Sequence, residues 1–260
     1  MAHAVLTLPT WLIGVLLVLV FPALVLLCQW GIRRRWPAMA RGEHNDVVGF
    51  IIAVVGVIYA VLLAFVVIVA WENFDEAEGI VGQEASALRS IYRESAAFPP
   101  ETRDRLHDLV VEYSETVIDD EWPAMAREEP GDPGVGEVLD RMAETIATVP
   151  ATTPAEAEFV GAEAERLSQL VSFRSQRIDY ADRGIPGVLW IALIVGGIVT
   201  IGFALLFGLQ RAVLHSLMVG SLAALVGVLL FVAVVINYPF AGDVAVQPEP
   251  LDRVLSDFRG

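Results

Sequence analysis

The chain has 260 residues, of which 55% are hydrophobic and 19% charged, with a mean hydropathy of +0.60. A soluble domain carries more charge and fewer apolar residues. All 17 basic residues are arginine against 32 acidic ones, a net charge of −15 whose sign excludes a surface built to neutralise nucleic-acid phosphates.

Residues 11–30 form the first of four apolar runs without Asp, Glu, Lys, Arg or His; the others are 47–71, 185–209 and about 217–238. Each has the roughly 20 residues that a helix needs to cross a hydrocarbon core of about 30 Å. Residues 1–10 carry no Lys or Arg, so the first run lacks the basic leader of a cleaved signal and reads as a permanent span. Pro22 predicts a kink in that span. Cys28 is the single cysteine, which excludes a disulfide framework. Trp11, Trp30, Trp71 and Trp190 fall at run ends, where amphipathic rings favour the headgroup level. Arg33, Arg34, Arg35 and Arg41 follow span one, and Arg211 lies between spans three and four. Set against Arg253 and Arg259 on the tail, this count places both short loops in the cytoplasm and the insertion with both termini outside. Arg174, Arg177 and Arg183 narrow the contrast.

Small residues recur four apart within the spans, at Gly49–Ala53, Gly56–Ala60–Ala64, Ala192–Gly196, Gly220–Ala224 and Ala223–Gly227. Such faces let helices approach closely in lipid. Tyr59, Thr200 and Asn237 are the main hydrogen-bonding side chains expected there, and no ionisable residue lies mid-span. Proton- or ion-coupled pumps need such residues; a pore with an apolar constriction does not.

Between spans two and three, residues 72–184 hold 26 acidic residues against 10 arginines. Helical spacing continues past Trp71 through Phe74, Ala77, Val81, Ala85, Leu88 and Tyr92, so span two is predicted to run on as a long amphipathic helix until Pro99-Pro100. A second helix carries Leu106, Leu109, Val110, Tyr113 and Val117, interrupted near Pro123. A third covers 137–149, with Val138, Leu139, Met142 and Ile146. A fourth runs from about 155 to 180, with Val160, Leu167, Leu170, Val171 and Ile178. Together these predict an antiparallel bundle. Asp119-Asp120-Glu121 points around its helix and reads as a solvated face rather than a cation site, and His107 reads as a surface residue. Trp-Pro-Ala-Met-Ala-Arg occurs at both 36–41 and 122–127 without matching flanks. The tail breaks at Pro239 and ends in an amphipathic turn with Leu251, Val254, Leu255 and Phe258. The fold class is therefore all-α, a four-span helical membrane protein with a helical-bundle insertion. Its parts are 1–71, 72–184, 185–238 and 239–260.

An ordered motif set carries a resemblance. His44-Asn45-Asp46 opens span two, followed by Tyr59-Ala-Val-Leu-Leu-Ala-Phe65 and Trp71-Glu72-Asn73-Phe74; later come Ile185-Pro186-Gly-Val-Leu-Trp190 and Tyr238-Pro-Phe-Ala-Gly-Asp243. Over residues 10–258 the chain resembles bacterial membrane proteins carrying a bestrophin-like domain, and more distantly the bestrophin ion channels. That resemblance implies a homo-oligomer with span two lining a pore, and a cytosolic insertion. The sequence departs from bestrophins at Ala70-Trp71 and Glu78, where they carry Trp-Trp and Arg.

The expectation is an ion channel with Val54, Ile58, Phe65 and Glu72 along the pore and His44, Asp46, Asp75 and Glu76 at its mouths. Asn45 or Asp46 as the N-cap of the helix is the favoured role over a place at the mouth. An acidic mouth would concentrate cations. The alternative is a non-conducting membrane scaffold or sensor whose acidic bundle binds a partner or cations. No EF-hand loop, His-Glu-x-x-His, phosphate loop or nucleophile–base pattern is present, so no catalytic residue, metal or cofactor is expected. The expected partners are the lipid bilayer, further copies of the chain and inorganic ions.

Overall fold

The computed structural model describes residues 9–36, 45–127, 129 and 131–259, and every regular element among them is helical. In chain order the helices are α1 (Thr10–Arg35), α2 (Asn45–Glu94), α3 (Pro100–Thr116), α4 (Trp122–Ala126), α5 (Pro133–Ala147), α6 (Pro154–Ala181), α7 (Gly187–Leu206), α8 (Ala212–Val235) and α9 (Glu249–Phe258). Four of them, α1, α2, α7 and α8, are long and apolar enough to cross a membrane. The described residues form two compact units. One takes the chain up to Glu72 with Gly184–Asn237 and Gly242–Val244; the other takes Asn73–Arg183, Tyr238–Ala241 and the chain from Ala245.

In the first unit α8 packs on α1 and α7. Its Gly227 is a true contact point: a Cβ there would stand 2.1 Å from the Leu17 carbonyl oxygen. Gly220 faces Leu26 across the same pair of helices. The Tyr59 ring on α2 abuts α7, so close that a Cβ at Gly196 would come within 2.6 Å of it. Small residues therefore set these approaches, as lipid packing requires. The Gly56–Ala60–Ala64 series is used differently: among the described residues nothing comes within 4 Å of where a Cβ on Gly56 would stand, and Ala60 and Ala64 are exposed.

Proline leaves the same signature twice. It lacks the N–H for a helical bond, and its ring crowds the carbonyl four residues earlier. In α1 a π-helical segment, Val15–Val20, precedes Pro22. A second one, Val117–Glu121, precedes Pro123 and links α3 to α4. The expected kink and interruption thus take the form of widened turns that absorb the misfit.

The second unit is a bundle around Leu88, Ile91, Leu106, Val110, Tyr113, Met142 and Leu170, with Leu251 and Val254 of α9 in the same core. Pro sits in the first turn of α3, α5 and α6, where its missing N–H costs nothing. Asp132 caps α5, and Thr153 with Glu156 forms a complete capping box on α6. That box holds the Glu156 carboxyl at about 2, through the bonds it accepts from Thr152 and Thr153.

Candidate functional site

Helix α2 has two faces. Tyr59, Leu63, Val66 and Ala70 are buried at spacings of 4, 3 and 4, one stripe of a helix. The expected pore residues stand away from it: Val54, Ile58 and Phe65 are 46, 64 and 63% exposed, and Glu72 is exposed as well. Seven-residue steps from Ile58 to Phe65 to Glu72 keep these three within about 40° of one line, over about 21 Å of helix rise. Asp46 is exposed at the start of the helix. Asp75 and Glu76 are exposed on its continuation, where the Glu76 carboxylate accepts a hydrogen bond from Tyr180. His44 lies outside the described residues. Among the described residues no three His, Cys, Asp or Glu side chains are grouped to hold a metal ion.

The second unit contains a constellation that the sequence reading did not single out. Arg177 of α6 is fully buried. Its Nε donates to Glu84 Oε2 at 2.6 Å and its Nη2 to Glu121 Oε2 at 2.7 Å. Arg174, one turn earlier, donates to Glu121 Oε1 at 2.5 Å and to the Asp132 carbonyl. The Tyr113 hydroxyl donates to Glu84 Oε1 at 2.7 Å. Two arginines and two glutamates cancel in charge, and each carboxylate has several donors, the condition under which buried ions persist. Burial raises the Glu121 carboxyl, but hydrogen bonds and charge from Arg174 and Arg177 outweigh it and hold it below the ordinary range. Burial, then the Glu84 charge, pushes the Tyr113 phenol well above its usual value. With its charges cancelled and its oxygens occupied, the group ties α2, α3, the Val117–Glu121 segment and α6 together and leaves no free base or ligand.

Solved structures similar to this chain include bacterial bestrophin homologues from Klebsiella pneumoniae. A point variant aligns at TM-score 0.73 and 15% identity, covering 94% of this chain and 99% of that one. A second structure, phased on zinc, aligns at 0.66 and 17%, covering 91% and 96%. No curated protein matches. A family model, the bestrophin-like domain, matches residues 19–251. The chain belongs to the bestrophin-like family.

Several of the residues that suggested the bestrophin-like family hold its first unit together. Asn45 does not cap its own helix through this bond: its Nδ2 donates to the Gly208 carbonyl at 2.5 Å and its Oδ1 accepts from the Gly208 N–H at 2.8 Å. Asn237 accepts from the Ile185 N–H at 2.8 Å. Gly242 adopts φ 89°, the left-handed region that favours glycine. Asp243 beside it accepts from the Thr10 N–H at 2.9 Å. Arg33 donates to the Leu209 carbonyl and to His215 Nδ1, both at 2.9 Å. A guanidinium can only donate, so the His215 proton sits on Nε2, within 3.2 Å of the Ala204 carbonyl.

Two sequence expectations change in the bestrophin-like bundle. Glu121 is not part of a solvated acidic face; it is fully buried in the ion cluster, whereas Asp119 and Asp120 are exposed. His107 is not a free surface residue: its ring stacks on Tyr92 at 3.6 Å and its Nε2 meets the Tyr92 carbonyl at 2.9 Å. In the repeated hexapeptide, Trp122 and Met125 wall the cluster, the ring 5.4 Å from the Arg177 guanidinium and the sulfur 2.8 Å from its Nη1. Most of the other copy, residues 37–41, lies outside the described residues.

Proposed function

We propose that this bestrophin-like membrane protein is a homo-oligomeric ion channel whose pore is lined by the exposed face of α2. Ile58 and Phe65 form an apolar neck below Val54, and Glu72 forms an acidic ring, with Asp75 and Glu76 beyond it drawing in cations. The observation that carries this reading is the division of α2. One stripe is packed within the chain, while the opposite line, apolar until it meets Glu72, is left for other copies or the pore. A neck of this kind gates by dewetting and needs no ionisable relay. His44 and Asp46 stand at the other mouth in this reading.

Purified protein in planar bilayers provides the test. Unitary currents that reverse toward the cation potential under a salt gradient are expected. Silence from a preparation shown by native mass measurement to be monomeric overturns the channel and leaves the scaffold or sensor. The arginine count orients the insertion and both termini outside, whereas the resemblance to bestrophins orients the insertion inward. Protease added to intact cells separates the two: cleavage within 72–184 supports the first orientation and resistance the second.

A further inference from the structure

Among the described residues, Glu163 is the one buried carboxylate of the bundle outside the Arg174–Arg177 cluster. On α6 the inward stripe reads Val160, Glu163, Leu167, Leu170, Arg174 and Arg177, at spacings of 3, 4, 3, 4 and 3, so Glu163 takes a core position. It is 2% exposed, and its Oε1 is sealed from solvent with no hydrogen-bond partner among the described residues. Two charges act on it. Glu94, the last residue of α2, repels it; Arg166, one turn further along α6, attracts it. But Arg166 is already engaged, its Nε donating to Glu94 Oε2 at 2.6 Å. From α5 this stretch of α6 meets Ala143, Ile146 and Ala147, which offer neither charge nor donor. From α3, His107 is taken up by the Tyr92 carbonyl.

An ionised Glu163 would therefore set two carboxylates against one guanidinium, and while Glu94 and Arg166 keep more than a third of their side chains in water, Glu163 itself is buried without a donor of its own; a buried charge of this kind takes up a proton instead. A metal would need further ligands, and no such group exists among the described residues. We propose that Glu163 is a proton-binding latch: its protonated carboxyl lets the first turns of α6 close against the end of α2, and loss of the proton releases them.

Burial, reinforced by the Glu94 charge, pushes the Glu163 carboxyl up to about 7 against the pull of Arg166. The closed form thus binds a proton that the open form, with its carboxyl near the ordinary 4.5, has already lost. Rising pH favours opening: the opening constant grows about tenfold per pH unit between the two values, then levels off above the upper one.

Hydrogen exchange of the intact protein between pH 5 and 8, corrected for intrinsic rates, reads this at the amides of residues 157–167. Protection is expected to fall about tenfold per pH unit up to about 7 and then stay flat. Glu163→Gln should make protection independent of pH, and Glu94→Gln should move the levelling-off to lower pH with Glu163 intact. If Glu163→Gln does not fold, the Glu94→Gln shift decides alone. Protection that is flat with pH in the unaltered protein, a full slope in Glu163→Gln, or no shift in Glu94→Gln overturns the proposal.

Discussion

Gly227 shows how much one missing methyl decides in a membrane bundle. The Leu17 carbonyl occupies the space where its Cβ would be, at 2.1 Å, and a backbone oxygen cannot swing aside as a side chain can. Alanine there must push α8 off α1, whereas Gly56, with open space around it, accepts alanine freely and gains helix propensity. Gly227→Ala is therefore expected to cost about 1–3 kcal/mol, the range for overpacking, and Gly56→Ala to be neutral or stabilising. Thermal unfolding in detergent compares them, and equal midpoints would refute the close contact. Four-residue spacing of small residues was visible in the sequence at both sites. Which of them faces another helix of the same chain was not, because a glycine's spacing is the same whether its neighbour is a backbone or lipid.

The helices teach a related lesson. Apolar spacing alone located the long α2, the bundle helices and most of the faces they bury, because a 3.6-residue repeat is a local property; Val171, expected on the α6 face, is 45% exposed instead. The ion cluster followed the same spacing, but its charged members were passed over. Glu84 falls in line with Ala77, Val81, Leu88 and Ile91 on α2, and Arg174 and Arg177 continue the Val160–Leu170 stripe on α6. A charge at a core position predicts burial; what remains illegible is its partner, since Glu84 and Arg177 lie far apart in the chain and meet only after folding. Glu121 measures the strength of this tie. Its carboxyl is held below the ordinary range in the folded chain, so the stability it adds is present above the unfolded value and lost as pH falls through the folded one. Glu121→Gln leaves Arg174 without a carboxylate partner and Arg177 with Glu84 alone, an uncompensated charge that costs about 3–5 kcal/mol. Chemical denaturation should show that deficit at pH 7 and a much smaller one in strong acid, where the native carboxylate is itself protonated. A deficit of equal size at both pH values would mean that the glutamate contributes packing rather than charge.

At the scale of the whole protein, the opening numbers resolve into a division of labour along the chain: hydropathy in the four spans, negative charge between the second and third. Within a single copy that charge is ordinary solvation, largely screened beyond about 10 Å in 0.1 M salt. In a ring of copies, Glu72 would be repeated around one axis beside a low-dielectric neck, where field lines concentrate and counter-ions gather. Cation preference should then depend on both the residue and the salt. On the proposed channel reading, Glu72→Gln is expected to move the reversal potential toward zero at 0.1 M salt while leaving conduction in place. The unaltered channel should lose much of its preference at 1 M, where the screening length falls to about 3 Å. Reversal potentials measured at fixed gradient ratio and both ionic strengths test the two effects together. A preference unchanged by Glu72→Gln would remove that ring from the selectivity step and shift attention to Asp75 and Glu76. A preference that survives 1 M salt would mean that selection does not rest on screened charge at the mouth.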